Sequence, residues 1–79
     1  MPKAYVLINC EIGTEEFIMS KLKEIDLVKE VYGTFGAYDI VVLVEAGTIE
    51  SLREVITWKI RKIEKITSTL TMMFIEGQG

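Results

Sequence analysis

Five consecutive apolar residues, Ile40-Val41-Val42-Leu43-Val44, constrain this 79-residue chain more than any other feature. Four of the five are β-branched, so the run favours a strand. A strand with one face in water alternates apolar and polar side chains, and this one has no polar position to turn outward. Just before it lies Thr34-Phe35-Gly36-Ala37-Tyr38-Asp39, a glycine turn with a flanking carboxylate. The turn offers backbone N–H groups and one anion to a small polar ligand. Turn and strand together predict a small oligomeric domain that binds a metabolite where subunits meet.

The chain's length supports this reading. Seventy-nine residues form a single domain, taken as 1–79, and a domain near this size buries only about 60% of the surface its unfolded chain exposes. Disulfides, metals or association commonly supply the missing stability. Cys10 is the one cysteine and there is no histidine, which excludes an intrachain disulfide and a structural zinc site. Association remains, in keeping with a hydrophobic content of 49%.

A net charge of −3 argues against direct binding to nucleic acid, which needs concentrated positive charge. The densest basic group, Lys59, Arg61, Lys62 and Lys65, is interrupted by Ile60, Ile63 and Glu64 and reads as the solvated end of a helix. No apolar stretch approaches the roughly 20 residues that span a bilayer. Met1-Pro2-Lys3-Ala4 lacks the build of a signal peptide, and one reduced cysteine fits a cytoplasmic location.

Period-two alternation predicts a first strand over 3–12. Gly13 breaks it, Thr14 is set to cap a helix, and Glu15 and Glu16 favour its first turn. Ile18, Leu22 and Ile25 form the apolar stripe of that helix, which should end near Glu24. A second strand is expected over 28–35, with Gly33 marking a bulge or a close backbone approach. A hairpin through 36–38 leads to a third strand over 39–46. Gly47 ends it, Thr48 repeats the cap signal, and Ser51 with Glu54 has capping-box spacing. Leu52, Val55, Ile56 and Ile63 share the face of a second helix reaching about Lys62, with Ile60 near the edge. Trp58 falls outside that stripe and is placed at an inter-subunit edge. The last strand is expected over 66–76, followed by a frayed Gly77-Gln78-Gly79 tail.

The order βαββαβ gives an α+β, ferredoxin-like fold: a four-stranded antiparallel sheet with both helices on one face. The other face then carries the non-alternating third strand, and the last strand ends in Leu70, Met72, Met73, Phe74 and Ile75. Covering roughly 800 Å² per subunit at about 25 cal/mol per Å² yields on the order of 10–20 kcal/mol before association costs. Packing of that face into at least a dimer is the prediction.

Within this frame four segments carry a family resemblance: Ala4-Tyr5-Val6, Val31-Tyr32-Gly33-Thr34-Phe35-Gly36, Tyr38-Asp39, and Ile66-Thr67-Ser68-Thr69-Leu70-Thr71. The chain resembles the RAM domain, the effector-binding module of the leucine-responsive Lrp/AsnC transcription regulators, and more closely the stand-alone RAM proteins. Its G-x-Y-D element is Gly36-Ala37-Tyr38-Asp39. The resemblance implies homo-oligomeric dimers joined through their sheets and assembled into rings such as octamers or decamers. It also implies amino acids bound in crevices between dimers, with no cofactor. The ligand positions it implies are Gly36, Ala37, Tyr38, Asp39, Thr67, Ser68, Thr69 and Thr71. Ala37 departs from many relatives, which carry a charged or larger residue there. With no helix-turn-helix ahead of the domain, action through full-length Lrp/AsnC regulators is implied rather than direct operator binding.

The chemistry of these positions fits a zwitterion. Turn N–H groups near Gly36 can hold a carboxylate, and Asp39 can accept from an ammonium. A plainer reading stands beside it: Gly36 permits positive φ, Asp39 caps the turn, and the threonines reflect strand propensity. Thr67, Thr69 and Thr71 are expected on one sheet face and Ser68 on the other. Tyr32 and Tyr38 shape a crevice or fill an interface, Met72 and Met73 fill core or interface, and Cys10 is an inert thiol. Glu11-Ile12-Gly13-Thr14-Glu15 lacks the arginine of an acylphosphatase-type loop, and a dimeric monooxygenase of this fold would want a histidine. A metal chaperone would need a second cysteine, and an RNA-recognition sheet would carry aromatic and basic residues. The ACT domain, which shares fold and ligand class, is the closest alternative and would use Gly13 in place of Gly36.

Overall fold

A computed structural model of the protein describes residues 1–74, so the expected tail and the end of the last strand lie outside the described residues. Strand β1 (Lys3–Cys10) is followed by helix α1 (Glu15–Lys23), β2 (Val28–Gly33) and β3 (Ile40–Glu45). Helix α2 begins as an α-helix (Ile49–Glu54) and continues as a π-helix (Val55–Ile60) before β4 (Ile66–Met73). The sheet order is β2-β3-β1-β4 and every neighbouring pair is antiparallel. The expected ferredoxin-like arrangement is the one observed.

Period-two geometry sends successive side chains of each strand to opposite faces. On the covered face Ala4, Val6 and Ile8 of β1 and Ile40, Val42 and Val44 of β3 are fully buried. Ile18 and Leu22 of α1 pack onto them, with Met19 and Ile25 at the margin. Leu52, Val55, Ile56 and Ile60 from α2 complete the core. Among the described residues no helix or second sheet covers the opposite face. There the pairing aligns Tyr32, Val41, Leu7 and Leu70 in one row across all four strands, and Glu30, Leu43, Tyr5 and Met72 in the next. Phe74 stacks edge-on against Tyr5, with centroids 5.4 Å apart.

Several expected boundaries move, each for a local reason. β1 stops at Cys10 because Glu11-Ile12-Gly13 turns away, with Gly13 at φ +85° and Ile12 wholly exposed. Thr14 does stand at the start of α1, but its hydroxyl donates backward to the Glu11 carbonyl at 2.7 Å and does not cap the helix. β2 ends at Gly33, not Phe35. Its irregularity falls between Val28 and Glu30, not at Gly33, where an added Cβ would only touch Met19 Sδ at 3.9 Å. Ser51 and Glu54 form no capping box: the Ser51 N–H donates to Thr48 Oγ1 at 3.1 Å, so Thr48 is the cap.

The π-helix explains the core position of Ile60. An α-helix turns 100° per residue, which leaves Ile60 beside the stripe and Ile63 on it. A wider i→i+5 turn, seen where the Arg61 N–H donates to the Ile56 carbonyl at 3.0 Å, advances each residue by less. Ile60 therefore rotates into the core and is fully buried, while Ile63 is left half-buried beyond the helix end. Trp58 stays 64% exposed, with Lys62 Nζ 4.8 Å above its ring.

Candidate functional site

The 34–39 loop is built by hydrogen bonds at its base. The Thr34 N–H donates to the Asp39 carbonyl at 2.9 Å, and the Thr34 hydroxyl donates to the Tyr38 carbonyl. The Asp39 N–H donates to the Ile8 carbonyl at 2.9 Å, tying the loop to β1. The Asp39 carboxylate then reaches the end of the same strand, where Oδ2 accepts the Cys10 N–H at 3.0 Å. Its base is thus fixed by partners far away in sequence, and Tyr38 and Asp39 are half-buried. The tip is open: Phe35, Gly36 and Ala37 are exposed, and Gly36 has φ +129°, a conformation that favours glycine.

Burial pushes the Cys10 thiol above its ordinary value; a hydrogen bond with Thr14 opposes this, and the Asp39 charge adds a smaller upward push. A thiol held protonated is a poor nucleophile, as expected for an inert cysteine. On the open face a hydrogen bond from Tyr32 Oη to Glu30 Oε1 at 2.7 Å raises the phenol above its ordinary value.

The hydroxyl-bearing residues of β4 lie on the other side of β1. Thr67, Ser68 and Thr69 line a cleft of about 220 Å³ with Ile66 and Arg61. Ser68 Oγ accepts from Asn9 Nδ2 at 3.4 Å. Thr69 and Thr71 pair with Ile8 and Val6, on the covered face, whereas Ser68 pairs with Asn9 on the open one. Thr67 does not join the threonine row as expected, because the register shifts opposite Asn9 and Cys10 and leaves it unpaired. Thr71 sits further along the strand, away from the cleft.

The eight candidate residues therefore form two groups separated by the end of β1, roughly two strand spacings, or about 10 Å, apart. The cleft at the start of β4 includes none of the 34–39 residues. Two participants escaped sequence reasoning. The Cys10 N–H, 29 positions from Asp39, has no local signal, and Arg61 reads as an ordinary helix-end cation. Among the described residues no cluster of three or more metal-ligating side chains occurs, and no helix is long and apolar enough to cross a membrane.

The family model for the Lrp/AsnC ligand binding domain matches residues 3–77. The chain belongs to the Lrp/AsnC ligand-binding-domain family. Regulatory protein AsnC of Escherichia coli is 36% identical over 59 residues, which cover 75% of this chain and 39% of AsnC. The crystal structure of E. coli AsnC superposes with a TM-score of 0.88 at 28% identity, over 98% of this chain and 52% of AsnC. The matched region thus spans about half or less of that regulator. A Pyrococcus horikoshii protein, PHS023, matches over 95% of this chain and 90% of its own, with 41% identity and a TM-score of 0.90. A Neisseria meningitidis transcriptional regulator solved as an L-Met complex shares the fold, with a TM-score of 0.84 at 6% identity.

Proposed function

We propose that this domain is a non-enzymatic amino-acid effector-binding and oligomerisation module that acts on Lrp/AsnC-type transcription regulators. One observation carries the reading: the 34–39 loop and the β4 hydroxyls lie on opposite sides of β1, roughly two strand spacings or about 10 Å apart, in a sheet whose open face carries no layer among the described residues. A second copy packed on that face makes a dimer. Contacts between dimers in a ring would then bring one chain's 34–39 loop against another's β4. An amino acid fits such a seam: backbone N–H groups around Gly36 and Ala37 meet the ligand, and Tyr38 walls it. The Asp39 carboxylate, oriented by the Cys10 N–H, has a second oxygen for the ammonium. The hydroxyls of Thr67, Ser68, Thr69 and Thr71 supply further polar contacts.

Family membership supports the regulatory role, and the L-Met complex of the Neisseria regulator illustrates the ligand class on this fold. Burial pushes the Cys10 thiol beside the loop above its ordinary value, which disfavours the nucleophilic thiolate.

Two measurements test the reading together. Analytical ultracentrifugation should give a dimer or larger ring, and a panel of the twenty amino acids should contain at least one that raises the melting temperature. Asp39→Asn keeps an acceptor for the Cys10 N–H while removing the charge. It should weaken that amino acid about tenfold with little change in unliganded stability. A lone protomer at micromolar concentration, unmoved by every amino acid, would refute the proposal.

A further inference from the structure

Several surface clefts balance their own charge. One between Leu27 and Trp58 holds Glu54 with Lys59, one beside Phe17 holds Glu64 with Lys21, and a third holds Glu24 and Asp26 with Lys21 and Lys59. The cleft at the start of β4 does not. Its lining is Arg61, Ile66, Thr67, Ser68 and Thr69, with no carboxylate. Among the described residues no ion pair or hydrogen bond occupies the Arg61 guanidinium; only its backbone N–H is used, in the π-helical turn. A planar fork of donors thus stands beside three hydroxyls that can each donate one more hydrogen bond.

The backbone fixes this juxtaposition. The π-helical turn sets the phase at which Arg61 leaves α2, and the register shift at Asn9 and Cys10 opens β4 at Thr67. Lys65 has φ +77°, and its carbonyl accepts the Glu11 N–H at 2.9 Å, so the connection from Arg61 to β4 is held against β1. A flat, monovalent oxyanion suits such a site. A guanidinium grips a carboxylate through two parallel bonds, and neighbouring hydroxyls satisfy the remaining lone pairs.

We propose that the Arg61 cleft is a carboxylate site, in which Arg61 fixes the α-carboxylate of the amino acid and sets selectivity for acids over their amides. The assignment of the amino acid's carboxylate rests on the function proposed above. In that arrangement Arg61 and Asp39 hold opposite charges of one zwitterion across the subunit seam. Ligands lacking a carboxylate lose the Arg61 contact while keeping that to Asp39.

The experiment has an arm that does not depend on the effector. Sodium acetate, titrated into ¹⁵N-labelled protein against sodium chloride at equal ionic strength, should saturably shift the amides of Thr67, Ser68 and Thr69. Arg61→Gln should weaken that response about tenfold, and Arg61→Lys should retain part of it. Shifts no larger than those of chloride, or unchanged in Arg61→Gln, overturn the carboxylate site. Inorganic phosphate binding there in preference to acetate overturns it too, since the site then reads phosphate.

In the second arm, the amino acid most stabilising in the panel is compared with its primary amide. The native protein should prefer the acid, and Arg61→Gln should lose most of that preference. A preference that survives in Arg61→Gln places the effector's carboxylate elsewhere and overturns the assignment, while the proposed function stands. Acetate binding at Arg61 with no amino acid bound supports the carboxylate site and sinks the proposed function.

Discussion

The two faces of the sheet have almost the same chemistry and opposite fates. On one, Val6, Ile8, Ile40, Val42 and Val44 are fully buried under two helices. On the other, Leu7, Val41 and Leu43 are no more polar, yet they are only half-buried and Leu70 and Met72 remain 46% exposed. The difference teaches that burial within the chain uses only half of the apolar surface that the strands offer. A soluble monomer rarely leaves so continuous an apolar face in water, which is why the proposed function assigns the second face to contact with another copy.

The comparison can be broken most decisively at two adjacent residues. Val42→Asp places a carboxylate in a fully enclosed position, at a cost of several kcal/mol, and should abolish the cooperative thermal transition seen by circular dichroism. Leu43→Asp puts the same charge on the open face. It should leave the circular dichroism spectrum intact and reduce the mass seen by light scattering to that of a protomer. An unaltered mass in Leu43→Asp would mean that the open face is not the interface.

A gentler pair sharpens the same contrast. Ile8→Ala, on the covered face, should cost about 2–5 kcal/mol at any protein concentration. Leu7→Ala should cost less in dilute solution, and its effect on the melting temperature should grow with concentration as assembly contributes to stability. Identical concentration dependence in the two variants would erase the distinction between intramolecular and intermolecular burial.

The smallest effect concerns Cys10, at the end of β1 against the core. Its thiol is raised above the ordinary 9.0 chiefly by burial, which outweighs the opposing hydrogen bond with Thr14, with a smaller upward push from the Asp39 charge. The folded state therefore holds the proton more tightly than the unfolded state. That stabilisation is fully present below pH 9 and is lost as pH rises from there through the folded value. Denaturant midpoints should fall slightly above pH 9, and alkylation at pH 8 should be slower in the native protein than in urea. Equal alkylation rates would show that the fold does not protect the thiol.

Much of this architecture was legible because local physics dictates it. Alternation along 3–10, the stripe Ile18 and Leu22, and the unbroken Ile40–Val44 run each specify an element from neighbours a few residues apart. The glycine turn was legible too, since few residues but glycine accept the φ of +129° found at Gly36. Strand ends were not, because they depend on which backbone groups find partners. Ile12 continues the alternating pattern yet lies wholly exposed once Glu11 turns to meet Lys65.

The sequence by itself thus determined the element order, the sheet and the surplus of apolar surface, all of which follow from short-range periodicity and composition. Tertiary structure alone decided the π-helical phase that buries Ile60, the bond from Cys10 to Asp39, and the meeting of Arg61 with Thr67, Ser68 and Thr69. Each joins groups whose energies depend on three-dimensional proximity and hydrogen-bond geometry, and such proximity leaves no periodic trace along the chain.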